Sequence, residues 1–419
     1  MKEYDVVIIG GGSAGLAATI ELYNNGIRNI LLIERDYELG GILLQCIHNG
    51  FGLKVFKEEL TGPEYAERFV EQLLELGVEF KLESVVTTIH PDKRIEYINT
   101  KEGIVTIQAK AIILTMGCYE RNSGAISIPG NRPSGVLTAG TAQKYLNIDG
   151  YLVGKKVFIL GSGDIGLIMA RRMTLEGAEV LGVAEILPYS GGLKRNIVQC
   201  LDDYNIPLYL SHTVSEIIGD NSLEKVIVSE VKDFKIVPGT EREFEVDTLL
   251  LSIGLIPEND LSERAGIILD NKTRGPIVDE NYQTNVDGIF ACGNVLHVHD
   301  LVDFVTEESR RCGKSVSNYI NTNFIESNEV TIMKACNGVS YIVPQKIHYE
   351  NLNDKLELFL RVKSEFKDVE LVVKGDGEII KTNKKRHMAP AEMEKVILYK
   401  KELLPYKEIT IEVVSWAKN

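Results

Sequence analysis

The chain has 419 residues, 44% of them hydrophobic and 25% charged, which excludes wholesale disorder and, at about 150 residues per domain, leaves room for two to three domains. Its 46 basic and 60 acidic side chains leave a net charge of −14, which argues against nucleic acid and anionic lipid as partners, since both need concentrated positive charge. No stretch reaches the roughly 18–20 apolar residues of a membrane span, and the first residues lack a secretory pattern, so the sequence predicts a cytoplasmic protein.

Residues 4–9 read as a buried strand, Gly10-Gly11-Gly12-Ser13-Ala14-Gly15 as a glycine turn, and 16–24 as a helix. An apolar strand at 30–33 then ends in Glu34, followed by Arg35. This is GxGxxG in the setting of strand, turn, helix and acid-ended strand that binds a dinucleotide. Gly10 permits the tight turn, Gly12 lets a pyrophosphate approach the backbone, and Gly15 lets helix and strand pack. The free amides at Ser13, Ala14 and Gly15 then face the pyrophosphate, and Glu34 is placed to accept from a ribose diol.

The segment 40–52 follows, with Gly41, Cys46 and His48 in a polar, glycine-rich run that predicts the lining of a cofactor site. Cys46 is either a packed thiol or a redox thiolate whose pKa His48 lowers. The strand-like run 110–117 ends at Gly117.

The first unit then repeats. A strand at 156–160, the turn Gly161-Ser162-Gly163-Asp164-Ile165-Gly166, a helix at 167–176 and a strand at 179–184 lead to Glu185. The acid stands 24 positions after the first glycine in each unit, 10 to 34 and 161 to 185. A lone GxGxxG is weak evidence, but two with matched acids make a strong pair. The carboxylate of Glu185 would repel a 2′-phosphate and no arginine stands in 186–189, which favours NADH over NADPH, although Arg171 or Arg172 could still reach the site.

The run 247–257 matches 110–117 and carries Gly254, and 284–294 ends in Cys292-Gly293-Asn294. His297-Val298-His299-Asp300 comes next, before a helix expected over 301–320. Two histidines at i and i+2 invite a metal, yet the chain offers no obvious further ligand. The competing reading makes Asp300 the N-cap of that helix and His297 a proton relay at the edge of the cofactor. The polar stretch 320–329 reads as a linker. Beyond it, strands at 356–362, 369–373, 378–381, 395–399 and 409–414 predict a small β-sandwich. The basic run 381–387 reads as a solvated hairpin or as a surface for an acidic partner. The six cysteines form no CxxC pair.

These motifs resemble the two-dinucleotide flavoproteins of the pyridine nucleotide–disulfide oxidoreductase superfamily over roughly residues 1–325. The resemblance implies an α/β fold of two Rossmann-like dinucleotide-binding domains, with the NAD domain inserted in the FAD domain and a small C-terminal β-rich domain added. Its boundaries are 1–120 and 256–328 for FAD, 121–255 for NAD(H), and 329–419 for the β-rich domain. FAD is then assigned to Gly10, Gly12, Ser13, Ala14, Gly15, Glu34, Arg35, Gly41, Gly117, Gly293 and Asn294. NAD(H) is assigned to Gly161, Gly163, Asp164, Ile165, Gly166, Glu185 and Gly254. Asn294 replaces the aspartate usual in the second flavin motif, and the N-terminus of the helix after it is expected to face the flavin. The family's redox pair, CxxC or CxxxxC, is missing from the corresponding stretches, which argues against dithiol exchange.

The wording of 41–65, 115–121 and 292–300 further resembles the subgroup that accompanies an anaerobic glycerol-3-phosphate dehydrogenase, similar to one subunit of opine oxidases and hydrogen cyanide synthases. That implies an FAD-dependent NADH oxidoreductase in the role of an electron-transfer subunit. Its partner would be a flavoprotein dehydrogenase, with a small cysteine-rich protein alongside; a homo-oligomer stays open. The alternatives are a self-sufficient NADH oxidase or peroxide/persulfide reductase that uses Cys46, with His48 and His297 in support, and a nucleotide-responsive interaction module.

Overall fold

The computed structural model describes residues 1–321 and 329–416. The chain folds into two compact units, Met1–Cys118 with Pro257–Asn419, and Tyr119–Ile256. The expected linker at 320–329 falls largely on 322–328, outside the described residues.

In the first unit the strand Lys2–Ile9 runs parallel to Ile30–Ile33 on one side and to the second half of Gly103–Leu114 on the other. Glu79–Lys81 extends the sheet beyond Ile30–Ile33, and Ile289–Ala291 pairs with Ile112–Leu114. Val6–Ile9, Ile30–Ile33 and Ala111–Leu114 are buried throughout, the continuous apolar reading of parallel strands covered on both faces. The first half of Gly103–Leu114 instead pairs antiparallel with Arg94–Asn99, which carries Val85–Ile89.

The helix Ser13–Asn24 lies against the long helix Val302–Asn321. They come so close that a Cβ on Gly313 would stand 2.8 Å from the Ala18 carbonyl oxygen. The helix Gly62–Leu76 starts with a Thr61–Glu64 capping box and ends at left-handed Gly77, both local sequence signals.

The second unit holds a five-stranded parallel sheet, in order Val136–Thr138, Thr248–Leu251, Lys156–Leu160, Glu179–Glu185 and Leu208–Leu210. Its core is Val157, Ile159, Leu167, Met173 and Val183. Both nucleotide-type helices begin earlier than their apolar periodicity suggests, at Ser13 and Asp164, because Gly12 and Gly163 are the N-caps.

Past residue 329 the chain builds a sandwich of a five-stranded and a three-stranded sheet. Leu358, Leu360, Leu371, Val373, Ile409 and Ile411 fill it. Two of its strands, Thr331–Ala335 and Val339–Val343, lie outside the expected set, and Glu378–Met388 runs well beyond the predicted 378–381. The basic run is part of that edge strand, where lysines disfavour edge-to-edge pairing. Lys381 and Lys385 there reach Glu402 and Glu394. The sandwich has its own core, yet Val343 packs into the core of the large sheet. No helix among the described residues is long and apolar enough to cross a membrane.

Candidate functional site

The two glycine turns have the same construction, and in each the three glycines serve three different ends. Gly10 and Gly161 adopt φ of +109° and +98°, and a Cβ there would lie 2.5 Å from Thr115 O and 2.1 Å from Ser252 O. Gly15 and Gly166 sit under the turn, where a Cβ would meet the Gly10 and Gly161 carbonyl oxygens at 1.9 and 2.6 Å. The middle glycines are the least crowded: a Cβ on Gly12 would meet only Gly41 Cα at 3.9 Å, and one on Gly163 only Ser252, closely at its hydroxyl, 3.3 Å away. A Cβ at either position would fill the space a pyrophosphate needs. The first intrahelical bonds run from Leu16 N to Gly12 O and from Leu167 N to Gly163 O. First-turn amides therefore have no helical acceptor, and Gly166 N donates instead to Ser252 Oγ. These are the features a dinucleotide fits.

Glu34 and Glu185 do more than the ribose role the sequence suggests. Both are buried, and each clamps its own glycine turn. Glu34 accepts from Gly11 N at 2.5 Å and from Asp36 N at 2.8 Å. Glu185 accepts from Ser162 N at 3.0 Å, Ser162 Oγ at 2.7 Å and Leu187 N at 2.9 Å. A carboxylate has about four lone-pair sites, so both retain acceptor capacity, Glu34 more than Glu185. Arg35 is exposed beside Glu34.

Arg171 and Arg172 bond Tyr204 and Asn147, and Arg172 also pairs with Glu176. Asp164 accepts from Leu193 N and Asn196 Nδ2, which draws exposed Lys194 and Arg195 toward the second turn. Sequence spacing held no hint of that approach.

Several distant segments meet at the first turn. Gly40 N donates to Gly11 O, and a Cβ on Gly41 would lie 3.0 Å from Gly12 Cα. Gly293 abuts Ala14, and Asn294 Nδ2 donates to the sulfur of Cys118, the residue after Gly117. Gly254 belongs to the second unit, where its carbonyl accepts from Arg121 N, and Ile165 lies in the first turn of its helix. Thr115 and Ser252 were not singled out from the sequence. Their signal is the repeated hydroxyl-x-Gly of Thr115-Met116-Gly117 and Ser252-Ile253-Gly254 at the ends of equivalent strands.

Cys46 does not have the environment of a reactive thiolate. Its Sγ donates to Ile42 O at 3.3 Å, and burial pushes the thiol up to about 12. The expected lowering by His48 is not found; that ring lies tilted against Phe51, 5.0 Å between centroids.

The histidine segment also departs from expectation. Asp300 does not cap the helix, because its carboxylate accepts from Arg361 and from Met393 N in the sandwich. The helix begins at Val302 with Leu301 O accepting its first bonds, and Asp303 holds Val55 N. His297 borders no open face, since its side chain is fully buried and burial lowers its pKa. Its ring lies against Phe359 and Tyr341 of the sandwich.

The third member of this cluster, Glu308, comes from the second turn of the helix. Glu308 Oε1 accepts from Gly293 N at 2.8 Å, and Oε2 lies 2.8 Å from His297 Nε2 and 3.4 Å from His299 Nε2. Burial would raise the Glu308 carboxyl, but the two imidazoles hold it well below the usual range. Both ring nitrogens of His299, and Nδ1 of His297, have no hydrogen-bond partner. Each such buried orphan costs about 1–3 kcal/mol. Residues 279–281 offer a second cluster, Asp279 and Glu280 with His348, whose backbone N donates to Glu280.

Comparison with known proteins matches residues 4–319 to the family described as pyridine nucleotide-disulphide oxidoreductase. A thioredoxin reductase of Treponema pallidum is 26% identical over 297 residues, covering 70% of this chain and 89% of the relative. An opine oxidase subunit of Agrobacterium tumefaciens is 24% identical over 313 residues, covering 70% of this chain but only 61% of the relative. Among solved structures, thioredoxin reductase of T. acidophilum matches with a TM-score of 0.63 at 23% identity, over 77% of this chain and all of that one. That likeness establishes the shared fold.

Proposed function

Since this chain belongs to the pyridine nucleotide-disulphide oxidoreductase family, we propose that it works as the NADH-oxidising, electron-transfer subunit of a flavoprotein dehydrogenase, with glycerol-3-phosphate dehydrogenase as the partner class. It is an FAD-dependent pyridine nucleotide oxidoreductase with two dinucleotide-type glycine turns. The observation that supports the finer reading is the pair of glycine turns around Gly12 and Gly163 in a chain that carries neither the CxxC nor the CxxxxC motif of a disulfide reductase, although the buried thiols of Cys292 and Cys312 touch. The opine oxidase relative, by its name one part of an assembly, supports the subunit reading.

FAD, when bound, supplies the chemistry of accepting a hydride and passing electrons on. The chain supplies position and charge. Around Gly12, the amides of Ser13 and Ala14 hold the flavin dinucleotide's pyrophosphate, while Glu34 accepts from its ribose and keeps the turn in shape. Gly163, Asp164 and Glu185 serve the nicotinamide dinucleotide in the same way, and the Glu185 charge favours NADH. The positive end of helix Val302–Asn321 adjoins Gly293 through Val305 and favours negative charge there. Burial raises the pKa of the Cys46 thiol, which disfavours outward transfer through it.

The test is anaerobic titration of the full chain with NADH and with NADPH, followed by mixing with a glycerol-3-phosphate dehydrogenase flavoprotein. The flavin should bleach with about one equivalent of NADH, and the partner should reoxidise it faster than oxygen does. Bleaching without transfer to any flavoprotein partner would leave the oxidoreductase standing and remove the subunit role.

A further inference from the structure

Outside the nucleotide turns, the second flavin-type motif is tied to the long helix by a knot of ionisable side chains that no proposed electron-transfer step uses. We propose that His297, His299 and Glu308 form a site for one divalent transition-metal ion of the zinc class.

The donor atoms already converge. His297 Nε2 and His299 Nε2 lie 2.8 and 3.4 Å from Glu308 Oε2, and each of the three residues offers a ligand atom within 4.8 Å of the others. The two rings stand 4.3 Å apart between centroids, tilted at 51°. Tetrahedral zinc with bonds near 2.0–2.1 Å sets its ligand atoms about 3.4 Å apart, so a small opening of the His297–Glu308 contact admits the ion.

The second observation is independent of that convergence. Water reaches neither imidazole, yet Nδ1 of both histidines has no hydrogen-bond partner, and His299 Nε2 has only a long contact of 3.4 Å to Glu308 Oε2 without good hydrogen-bond geometry. A buried, partnerless imidazole facing a carboxylate is unfavourable as it stands, whereas a cation between the three groups satisfies His299 Nε2. The Glu308 carboxylate is also oriented as ligand carboxylates are, since its other oxygen accepts from Gly293 N at 2.8 Å.

The donor set selects the ion. Calcium and magnesium take oxygen ligands, and copper(I) favours sulfur, while two neutral imidazoles with one carboxylate suit zinc and its first-row neighbours. The site lies where Phe359 and Tyr341 of the sandwich cover the histidines, so an ion there joins the Gly293 loop, the long helix and the sandwich wall.

The cluster Asp279, Glu280 and His348 shares the convergence and an unpartnered ring nitrogen, His348 Nδ1, but its carboxylates are already held by neighbouring amides. There Asp279 accepts from the amides of Asn281 and Gln283, and Glu280 accepts from His348 N and Asn281 Nδ2.

The test uses the full chain, stripped with a chelator, soaked in ZnCl2 and desalted, with zinc measured by mass spectrometry and FAD by absorbance. About one zinc per chain is expected, with a higher midpoint of thermal unfolding in Zn2+ and no rise in Mg2+. H299Q should lose the zinc and keep the FAD; E280Q should keep both. If H299Q fails to fold, the zinc-dependent rise in the parent's midpoint decides the matter. A parent that retains no stoichiometric zinc and shows no rise overturns the site, as does an H299Q chain that holds as much zinc as the parent. None of these readouts depends on NADH oxidation, so the outcome is separate from the proposed function.

Discussion

The first and second glycine turns differ less in shape than in what surrounds them. Both place a strand-end hydroxyl residue, Thr115 or Ser252, under the first glycine, and both clamp the turn with a buried glutamate. The first turn is walled by other segments of its unit, Gly40–Gly41 and Gly293, and its second residue is glycine, which leaves Glu34 with more acceptor capacity. The second has Ser162 and Asp164 at the corresponding places. There Glu185 carries one bond more, and an acid stands at the helix start, tied to the loop 190–196. One geometry thus recurs in two surroundings, the second of them more acidic.

The largest effect should come from breaking the shared geometry. Gly15→Ala puts a Cβ 1.9 Å from Gly10 O, against backbone that cannot yield, and Gly166→Ala repeats the clash at 2.6 Å in the second unit. We expect Gly15→Ala to lose FAD and at least about 3 kcal/mol of stability in urea unfolding, with a milder loss for Gly166→Ala. Equal, small losses would mean that the glycines are not there for packing.

Glu185→Ala tests the acidic character of the second site. It removes a charged acceptor worth about 1.5–3 kcal/mol, and should narrow the ratio of kcat/KM for NADH over NADPH while leaving FAD content unchanged. An unchanged ratio would confine Glu185 to holding its turn.

Gly163→Ala separates binding from folding. A Cβ here presses only on the end of the Ser252 side chain, 3.3 Å away, so stability should fall by about 1 kcal/mol, less than for Gly166→Ala, while the Kd for NADH, measured by calorimetry, rises about tenfold. Unaltered NADH binding would break the parallel with Gly12.

A pH series probes the first unit by itself, where the sandwich meets the long helix. Burial would raise Glu357, but Arg311, Lys355 and Lys395 around it bring it down to about 2. A depressed carboxyl stabilises the fold above its unfolded pKa of about 4.5 and loses that contribution as pH falls toward 2. Acid should therefore loosen the packing of the sandwich on the long helix, followed by near-ultraviolet circular dichroism, and Glu357→Gln should flatten the dependence.

The smallest effect is expected for Cys46→Ser. NADH-driven flavin reduction should stay within about threefold, and iodoacetamide should label the parent thiol slowly at pH 7.5, because little thiolate is present. Rapid labelling, with loss of peroxide or persulfide turnover in the variant, would restore the thiol-based reading.

The sequence alone determined what short-range rules govern. A glycine at each fixed place, an apolar strand before it and an acid 24 positions on depend on backbone sterics and strand burial, and they read the same wherever the unit lies in the chain. The strands past residue 355 were legible for the same reason, through alternation and turn residues. What only the tertiary structure decided depends on which distant groups share one dry space. Asp300 looked like a helix cap until Arg361, 61 residues away, drew its carboxylate off. His48 stands two residues from Cys46, but desolvation of the thiol sets its proton affinity. His297 and His299 lacked a third ligand in sequence because Glu308 reaches them only when the helix packs back on its own loop, under Phe359 from the sandwich. Burial and electrostatic coupling belong to the assembled interior, and no local pattern of residues encodes them.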